Sequence, residues 1–194
     1  PGENILQVGD DIAKGQIILP EGHLLRAQDI GGLMGLGITE LNVYGRPKVV
    51  IISTGDELIP PNKDITPGKI RDINTYSLAA LTLQSGAIPL TTPIIGDSFE
   101  ELLDAARKSI LEADMLVISA GSSVSTRDLT SAVISNLGDP GILVHGISIK
   151  PGKPTILASI EGKPVVGLPG NPVSALVIFD IFCIPSIYML SGCS

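Results

Sequence analysis

The sequence has no tryptophan, and aromatic residues make up only 3% of its 194 residues. Because 44% of the residues are hydrophobic, a core is still possible, but Val, Ile, Leu and Ala must build it. Such a composition is typical of buried parallel strands covered by helices. The length suits one domain of ordinary size with a smaller appendage.

Cysteine is also scarce. Cys183 and Cys193 match no metal-ligand spacing and no disulfide framework. We interpret them as two reduced thiols and expect a cytoplasmic protein. No secretory signal is visible. Because the sequence begins with Pro1 rather than methionine, we expect either that a targeting segment was removed or that this is a fragment of a longer chain.

Positive charge is in deficit, with a net charge of -7 and a pI of about 4.7. This balance excludes a general binder of nucleic acid, although local amides and lysines can still hold a small anion. Residues 173–190 are the one membrane candidate by length. Asp180 would cost roughly 2.5–3.5 kcal/mol at bilayer depth, and Pro185 interrupts the run. We therefore expect a buried helix of a soluble domain and no membrane partner.

Residues 1–46 differ from the rest, because Gly and Pro punctuate short apolar runs there. Asp29 is predicted to cap a short helix that ends near Gly37. Gly45-Arg46-Pro47 then marks a boundary. The segment is too short for an independent core, so we predict an appended N-terminal segment over 1–46 and a main domain over 47–190.

From Lys48 onward the pattern alternates between strands and helices. Residues 49–52 form a β-branched run typical of a strand buried on both faces, and Ser98 with Glu101 forms a capping box. Further helices are predicted over 74–85, after Ser98, over 128–137 and after 172, and further strands over 89–95, 115–119, 142–149, 155–160 and 164–166. This order predicts an α/β fold with a three-layer, open, mostly parallel sheet.

Four loops with polar or glycine-rich sequences follow predicted strands. In open α/β sheets, ligands bind beyond the carboxyl ends of the strands, so these loops are expected to meet at one edge. Any single loop can equally be an ordinary turn. The loops are Thr54-Gly55-Asp56-Glu57, Gly96-Asp97, the Gly121–Ser125 stretch with Asp128, and Gly167 through Pro172.

The acids Asp56, Glu57, Asp97 and Asp128 are the candidate metal ligands. At roughly 4 Å and an effective dielectric of about 20, like charges repel by about 4 kcal/mol, which a hard cation such as Mg²⁺ would relieve. The alternative is a set of separate helix caps and solvated carboxylates. Asp97 in particular can simply favour the N-terminus of the next helix.

Anion-binding groups are predicted in two further places. Gly121 and the serines after it precede a helix, where amides and hydroxyls can cradle an oxyanion. Lys150 and Lys153 flank a proline-stiffened turn and can face one anion, or they can be an ordinary solvated basic turn. Asn171 before Pro172 is a good helix start with or without a ligand. His23 and His145 receive no role.

Several blocks of this sequence occur together in one known family. Residues 48–190 resemble the molybdopterin molybdenumtransferases, or molybdenum insertases, of the MoeA and gephyrin E-domain family. The lysine turn and the last of the blocks are the most specific. The matching blocks are 53–58 (STGDEL), 70–74 (IRDIN), 96–97 (GD), 119–128, 149–154 (IKPGKP) and 167–175 (GLPGNPVSA).

The resemblance implies a MogA-like domain and a Mg²⁺-dependent insertion of molybdate into adenylated molybdopterin, with release of AMP. It assigns Glu57, Asp97 and Asp128 to an acidic catalytic and metal site, with Asp56 as an adjacent candidate. The family's binding residues for molybdate and the cofactor's anionic groups map onto Thr54, Gly121, Ser123, Lys150, Lys153, Gly170, Asn171 and Ser174.

The resemblance also implies a longer parent protein, since the family carries an amino-terminal part with an inserted domain and a carboxy-terminal β domain. Its site is shared across a homodimer, so this fragment alone is expected to bind weakly or be inactive. Ala120 and Ser125 stand where the family often has glycine, which can narrow a backbone approach to the ligand. The competing hypotheses are molybdopterin adenylyltransferase and a non-enzymatic molybdopterin-binding scaffold.

Overall fold

The computed structural model describes residues 4–120 and 124–193, with the backbone alone at 124–127. The chain divides into two compact units, one of residues up to Val43 together with those from Gly192, and one from Tyr44 to Ser191.

The first unit contains one helix, α1 (Ala27–Gly35). Asp29 does not precede this helix as predicted. It lies in the first turn and accepts a hydrogen bond from the Arg26 backbone N–H at 2.8 Å, so it caps the helix from inside. The Arg26 side chain and then His23 hold the pKa of Asp29 well below its usual value. Among the described residues of this unit, Leu33 alone is buried.

The second unit is built on a six-stranded sheet with the order β4-β1-β5-β8-β7-β6. The strands β4, β1, β5 and β8 are parallel, whereas β6 and β7 add an antiparallel edge. The strands are β1 (Lys48–Thr54), β4 (Ile88–Thr91), β5 (Met115–Ala120), β6 (Pro140–His145), β7 (Ile156–Ile160) and β8 (Lys163–Leu168). A separate two-stranded parallel sheet pairs β2 (Leu58–Ile59) with β3 (Ile70–Arg71).

Helices cover both faces of the large sheet. Because side chains alternate along a strand, Val49 and Ile51 of β1 face one core cluster and Val50 and Ile52 face the other. Leu78 of α2 packs into the first cluster. The helices are α2 (Asn74–Gln84), α3 (Phe99–Glu112), α4 (Val124–Ser135), α5 (Pro172–Ile178) and α6 (Ile184–Leu190). This arrangement is the three-layer, mostly parallel α/β fold that the sequence predicts.

Several boundaries differ from the predictions. Strand β4 ends at Thr91 rather than at residue 95, and β6 begins at Pro140 rather than at residue 142. Helix α4 begins at Val124 rather than near Asp128. Strand β6 ends at His145, because the chain turns at Gly146, which has a φ of +86°. The strands β2 and β3 were not predicted, because two-residue strands show no periodicity in the sequence.

The last helical stretch runs from Pro172 to Leu190 through a π-helical segment at Phe179–Cys183. Pro185 has no N–H to donate, and the wider π turn lies just before it. This stretch is long and apolar enough to cross a membrane, by length and composition only. Its buried residues, including Ile178, Phe179 and Ile187, belong to the core on one face of the sheet. Its other face leaves Val173 and Met189 exposed.

Candidate functional site

A cleft of about 190 Å³ opens at the carboxyl ends of β1 and β5. The chain leaves β1 for β4 on one side and later returns to β5 on the other side. This is the point in an open α/β sheet where ligands characteristically bind. The lining residues are Ser53, Glu57, Leu58, Ile70, Arg71, Asp72, Ile73, Asn74, Ser119, Ala120, Gly170 and Pro172.

The turn after β1 places Glu57 at the cleft. Leu58 N–H donates to Gly55 O at 3.1 Å and closes the turn. A Cβ built on Gly55 would lie 2.6 Å from Glu57 Oε2, and Gly55 has a φ of +150°. The carboxylate therefore lies directly over a residue that must lack a side chain. Ile70 N–H donates to Glu57 O at 2.8 Å, so β3 fixes the backbone of Glu57.

Asp56 and Asp97 lie beside this turn. The Asp97 backbone N–H donates to Asp56 Oδ1 at 3.1 Å, and a Cβ at Gly96 would lie 3.1 Å from that same oxygen. Burial raises the pKa of Asp97, and the negative charges of Asp56 and Glu57 add to the effect. Thr54 Oγ1 donates to Gly96 O at 3.2 Å and so joins the end of β1 to the segment that follows β4.

Buried polar side chains form the floor of the cleft. Ser53 Oγ and Thr75 Oγ1 are 2.7 Å apart, and Thr75 N–H donates to Asp72 Oδ1 at 3.1 Å. Asn74 Nδ2 donates to Ser119 Oγ at 2.9 Å and to Gly170 O at 3.0 Å. These contacts connect the end of β1, the start of α2, the end of β5 and the loop before α5.

The loop after β8 begins helix α5. Asn171 is its N-cap, and its Oδ1 accepts from Ser174 N–H at 3.3 Å. Pro172 occupies the first turn, where its missing N–H costs nothing. Ser174 is buried, and its hydroxyl also donates to Asn171 Oδ1, at 3.5 Å. The helix-start function predicted for Asn171 and Pro172 is therefore confirmed.

The turn that carries Lys150 and Lys153, called the lysine turn, packs against the same helix. A Cβ at Gly152 would lie 2.4 Å from Ile178 Cδ1, so the turn approaches α5 as closely as a glycine allows. Thr155 donates to Gly152 O from both its N–H, at 3.1 Å, and its hydroxyl, at 2.7 Å. Lys150 and Lys153 are exposed on either side of this anchor.

The structure brings together some of the predicted site residues. Glu57 and Gly170 line the cleft, and Asp56 and Asp97 flank Glu57. Asp128 is exposed on α4, and Gly121 and Ser123 lie outside the described residues. Within residues 4–120 and 124–193, no group of three or more His, Cys, Asp or Glu side chains could hold a metal ion. The four-acid metal site thus stays a prediction, and a cation here would need ligands from water or substrate.

Sequence reasoning gave no role to several residues that line the cleft. Asp72 and Asn74 belong to the block 70–74, which resembles the family but for which no function was predicted. Ser53 and Ser119 are the polar residues near the ends of otherwise apolar strands. That change from apolar to polar at a strand's carboxyl end is the signal that could have identified them.

Comparison with known proteins identifies the class to which this fold and cleft belong. Residues 50–188 match the model of a family described as a probable molybdopterin binding domain. The chain belongs to this molybdopterin-binding family.

Within the family, the chain is similar to molybdopterin molybdenumtransferases. It is 33% identical to molybdopterin molybdenumtransferase 2 of Mycobacterium tuberculosis over 99% of this chain and 48% of the relative. It is 36% identical to molybdopterin molybdenumtransferase of Nostoc over 99% of this chain and 44% of the relative. The chain thus spans about half the length of these curated relatives.

Solved structures agree with this placement. A molybdopterin biosynthesis MoeA protein from Pyrococcus horikoshii superposes with a TM-score of 0.83 at 38% identity, over 95% of this chain and 45% of that one. The tungsten cofactor synthesizing protein MoaB from Pyrococcus furiosus has a TM-score of 0.56 at 19% identity, over 75% of this chain and 95% of that one. The second likeness concerns the fold alone.

Proposed function

We propose that this chain is the molybdopterin-binding domain of a molybdenum insertase in molybdenum cofactor biosynthesis. The full-length protein inserts molybdate into adenylated molybdopterin in a Mg²⁺-dependent reaction and releases AMP. It acts as a homodimer. The observation that carries the proposal is the cleft at the carboxyl ends of β1 and β5, which Glu57 and Gly170 line together.

The acids are suited to a magnesium ion that keeps part of its water shell. Mg²⁺ is commonly held by one or two carboxylates together with substrate phosphates and waters. One or two of Glu57, Asp56 and Asp97 would hold it, with waters and substrate oxygens as the other ligands. Burial raises the pKa of Asp97, the charges of Asp56 and Glu57 add to the effect, and a cation would relieve their repulsion. The metal supplies charge stabilisation for cleavage of the adenylate.

The chain's own groups bind the anionic parts of the substrates. The hydroxyl of Ser119 and the ammonium groups of Lys150 and Lys153 can donate to molybdate and phosphate oxygens. In AMP release, a water oxygen bonds to phosphorus, and the electron pair of the broken P–O bond leaves with the other phosphate. In this proposal Glu57 accepts the proton of that water.

The test is an assay of AMP release by the intact protein supplied with adenylated molybdopterin, Mg²⁺ and molybdate. We expect release to depend on molybdate, and Glu57→Gln to lower its rate by about 100-fold or more, the usual scale for loss of a general base. Asp104→Asn is the matched control, because Asp104 is an exposed carboxylate paired with Lys108 on α3.

Three outcomes would contradict the proposal. ATP consumption without molybdate consumption would indicate an adenylyltransferase. Tight cofactor binding without AMP release would indicate a scaffold. If Glu57→Gln were as active as the Asp104→Asn control, Glu57 would have no catalytic role.

A further inference from the structure

Asn74, the first residue of α2, lies beneath the cleft with 9% of its surface exposed. Its Nδ2 atom donates to Ser119 Oγ and to Gly170 O. The second bond joins residues 96 positions apart. A backbone carbonyl can only accept a hydrogen bond, so the atom that faces Gly170 must be the amide nitrogen.

These two partners belong to different segments at the cleft, Ser119 to the end of β5 and Gly170 to the loop before α5. Ser119 is followed by Ala120 and then by the Gly/Ser loop, whereas Gly170 directly precedes the N-cap residue Asn171. One side chain therefore ties the end of β5 to the start of α5. An aspartate here would set an acceptor against the Gly170 carbonyl oxygen, and an alanine would leave both acceptors, of which Ser119 Oγ is buried, without this donor.

The bond from Asn74 also determines what the Ser119 hydroxyl can do. Ser119 Oγ accepts from Asn74, so its own proton must point elsewhere. In the part of the chain that the structure describes, this hydroxyl has no other hydrogen-bond partner, and Ser119 lines the cleft. Within these described residues its proton is left to donate to a ligand atom.

We propose that Asn74 is a positioning residue that fixes the spacing between the end of β5 and the loop before α5. In doing so it directs the Ser119 hydroxyl at a tetrahedral oxyanion in the cleft. The oxyanion is either molybdate or the phosphate group of a nucleotide. The inference rests on the proposed function only for the identity of this ligand.

The first arm of the test needs no ligand. Amide hydrogen exchange is measured over residues 166–175 of the intact protein in Asn74→Ala, Asn74→Asp and a control, Thr82→Val. Thr82 is fully buried on the same helix, but its hydroxyl donates to Leu78 O, within the helix. We expect roughly fivefold faster exchange at Gly170, Asn171 and Ser174 in both Asn74 variants, the scale of one lost hydrogen bond, and no such change in the control.

The second arm measures the dissociation constants of molybdate alone and of AMP alone by calorimetry. Ser119→Ala should weaken one of them at least about fivefold while leaving exchange over 166–175 unchanged, because the bond to Gly170 remains. The anion whose binding weakens is the one that Ser119 contacts.

Wild-type exchange over 166–175 in Asn74→Ala would overturn the positioning role. Unchanged binding of both anions in Ser119→Ala would overturn the role of the hydroxyl. An intact protein that binds neither anion would count against the proposed function and the hydroxyl's role together, whereas the exchange arm would still decide whether Asn74 fixes the loops.

Discussion

Replacing Gly152 with alanine is expected to destabilise the α/β unit and displace the lysine turn. The new Cβ would lie 2.4 Å from Cδ1 and 2.7 Å from Cγ1 of Ile178. Ile178 is fully buried, and its helix packs on the sheet, so it has little room to move. Gly152 also has a φ of +125°, which residues with a side chain rarely adopt.

The magnitude follows from these two contributions. Overpacking a closed core costs about 1–3 kcal/mol, and backbone strain of this kind costs about 1–3 kcal/mol. We take the total loss of stability as about 3 kcal/mol. Because the Tm of a domain of this size shifts by about 2–4 °C per kcal/mol, the Tm should fall by about 10 °C.

A double-mutant cycle with Ile178→Val tests the cause, because valine lacks the Cδ1 atom that meets the new Cβ most closely. Ile178→Val alone should cost about 1 kcal/mol. Urea unfolding of the pair should show a loss smaller than the sum of the single losses by about 1 kcal/mol. Additive losses, or a Tm fall below about 2 °C in Gly152→Ala, would refute the reasoning.

Two further predictions concern the rest of the site. Because burial and the neighbouring acids raise the pKa of Asp97 from 3.8, its charged form is less stable in the folded protein. Asp97→Asn should therefore melt higher than wild type at pH 7 without Mg²⁺, and the gain should vanish below pH 3.8; a gain independent of pH in thermal melts would contradict this. Asn171→Ala should lower the free energy of unfolding by about 1 kcal/mol through loss of the cap. Asn171→Ser should keep most of the wild-type stability, because serine is also a good N-cap residue. Equal urea midpoints for the two variants would argue against capping.

The sequence predicts those parts of the fold that depend on local patterns. The apolar run in β1 identified a strand buried on both faces, and Ser98 does accept a hydrogen bond from Glu101 N–H at the start of α3. Asn171 and Pro172 likewise start α5 where expected. Each of these features is determined by residues within one turn or one strand.

The parts that could not be predicted depend on contacts between distant residues. The bond from Asn74 to Gly170 spans 96 positions, and no local pattern in either segment indicates it. The antiparallel edge formed by β6 and β7 depends on pairing across the sheet, whereas the alternation of strands and helices predicted a mostly parallel sheet without indicating which strands run antiparallel. The start of α1 is a local exception, because Asp29 lies in the first turn and accepts from the Arg26 N–H instead of preceding the helix as predicted.

The β2–β3 pair has a consequence for how the protein tolerates change. Ile70 N–H donates to Glu57 O and Asp72 N–H donates to Ile59 O. These hydrogen bonds hold together the two ends of the exposed loop over residues 60–69. Doubling the length of a flexible loop adds only about 0.6 kcal/mol of closure cost. A peptide tag or fluorescent reporter could therefore be spliced between Asp64 and Ile65 without shifting the carboxylate of Glu57 or the start of α2.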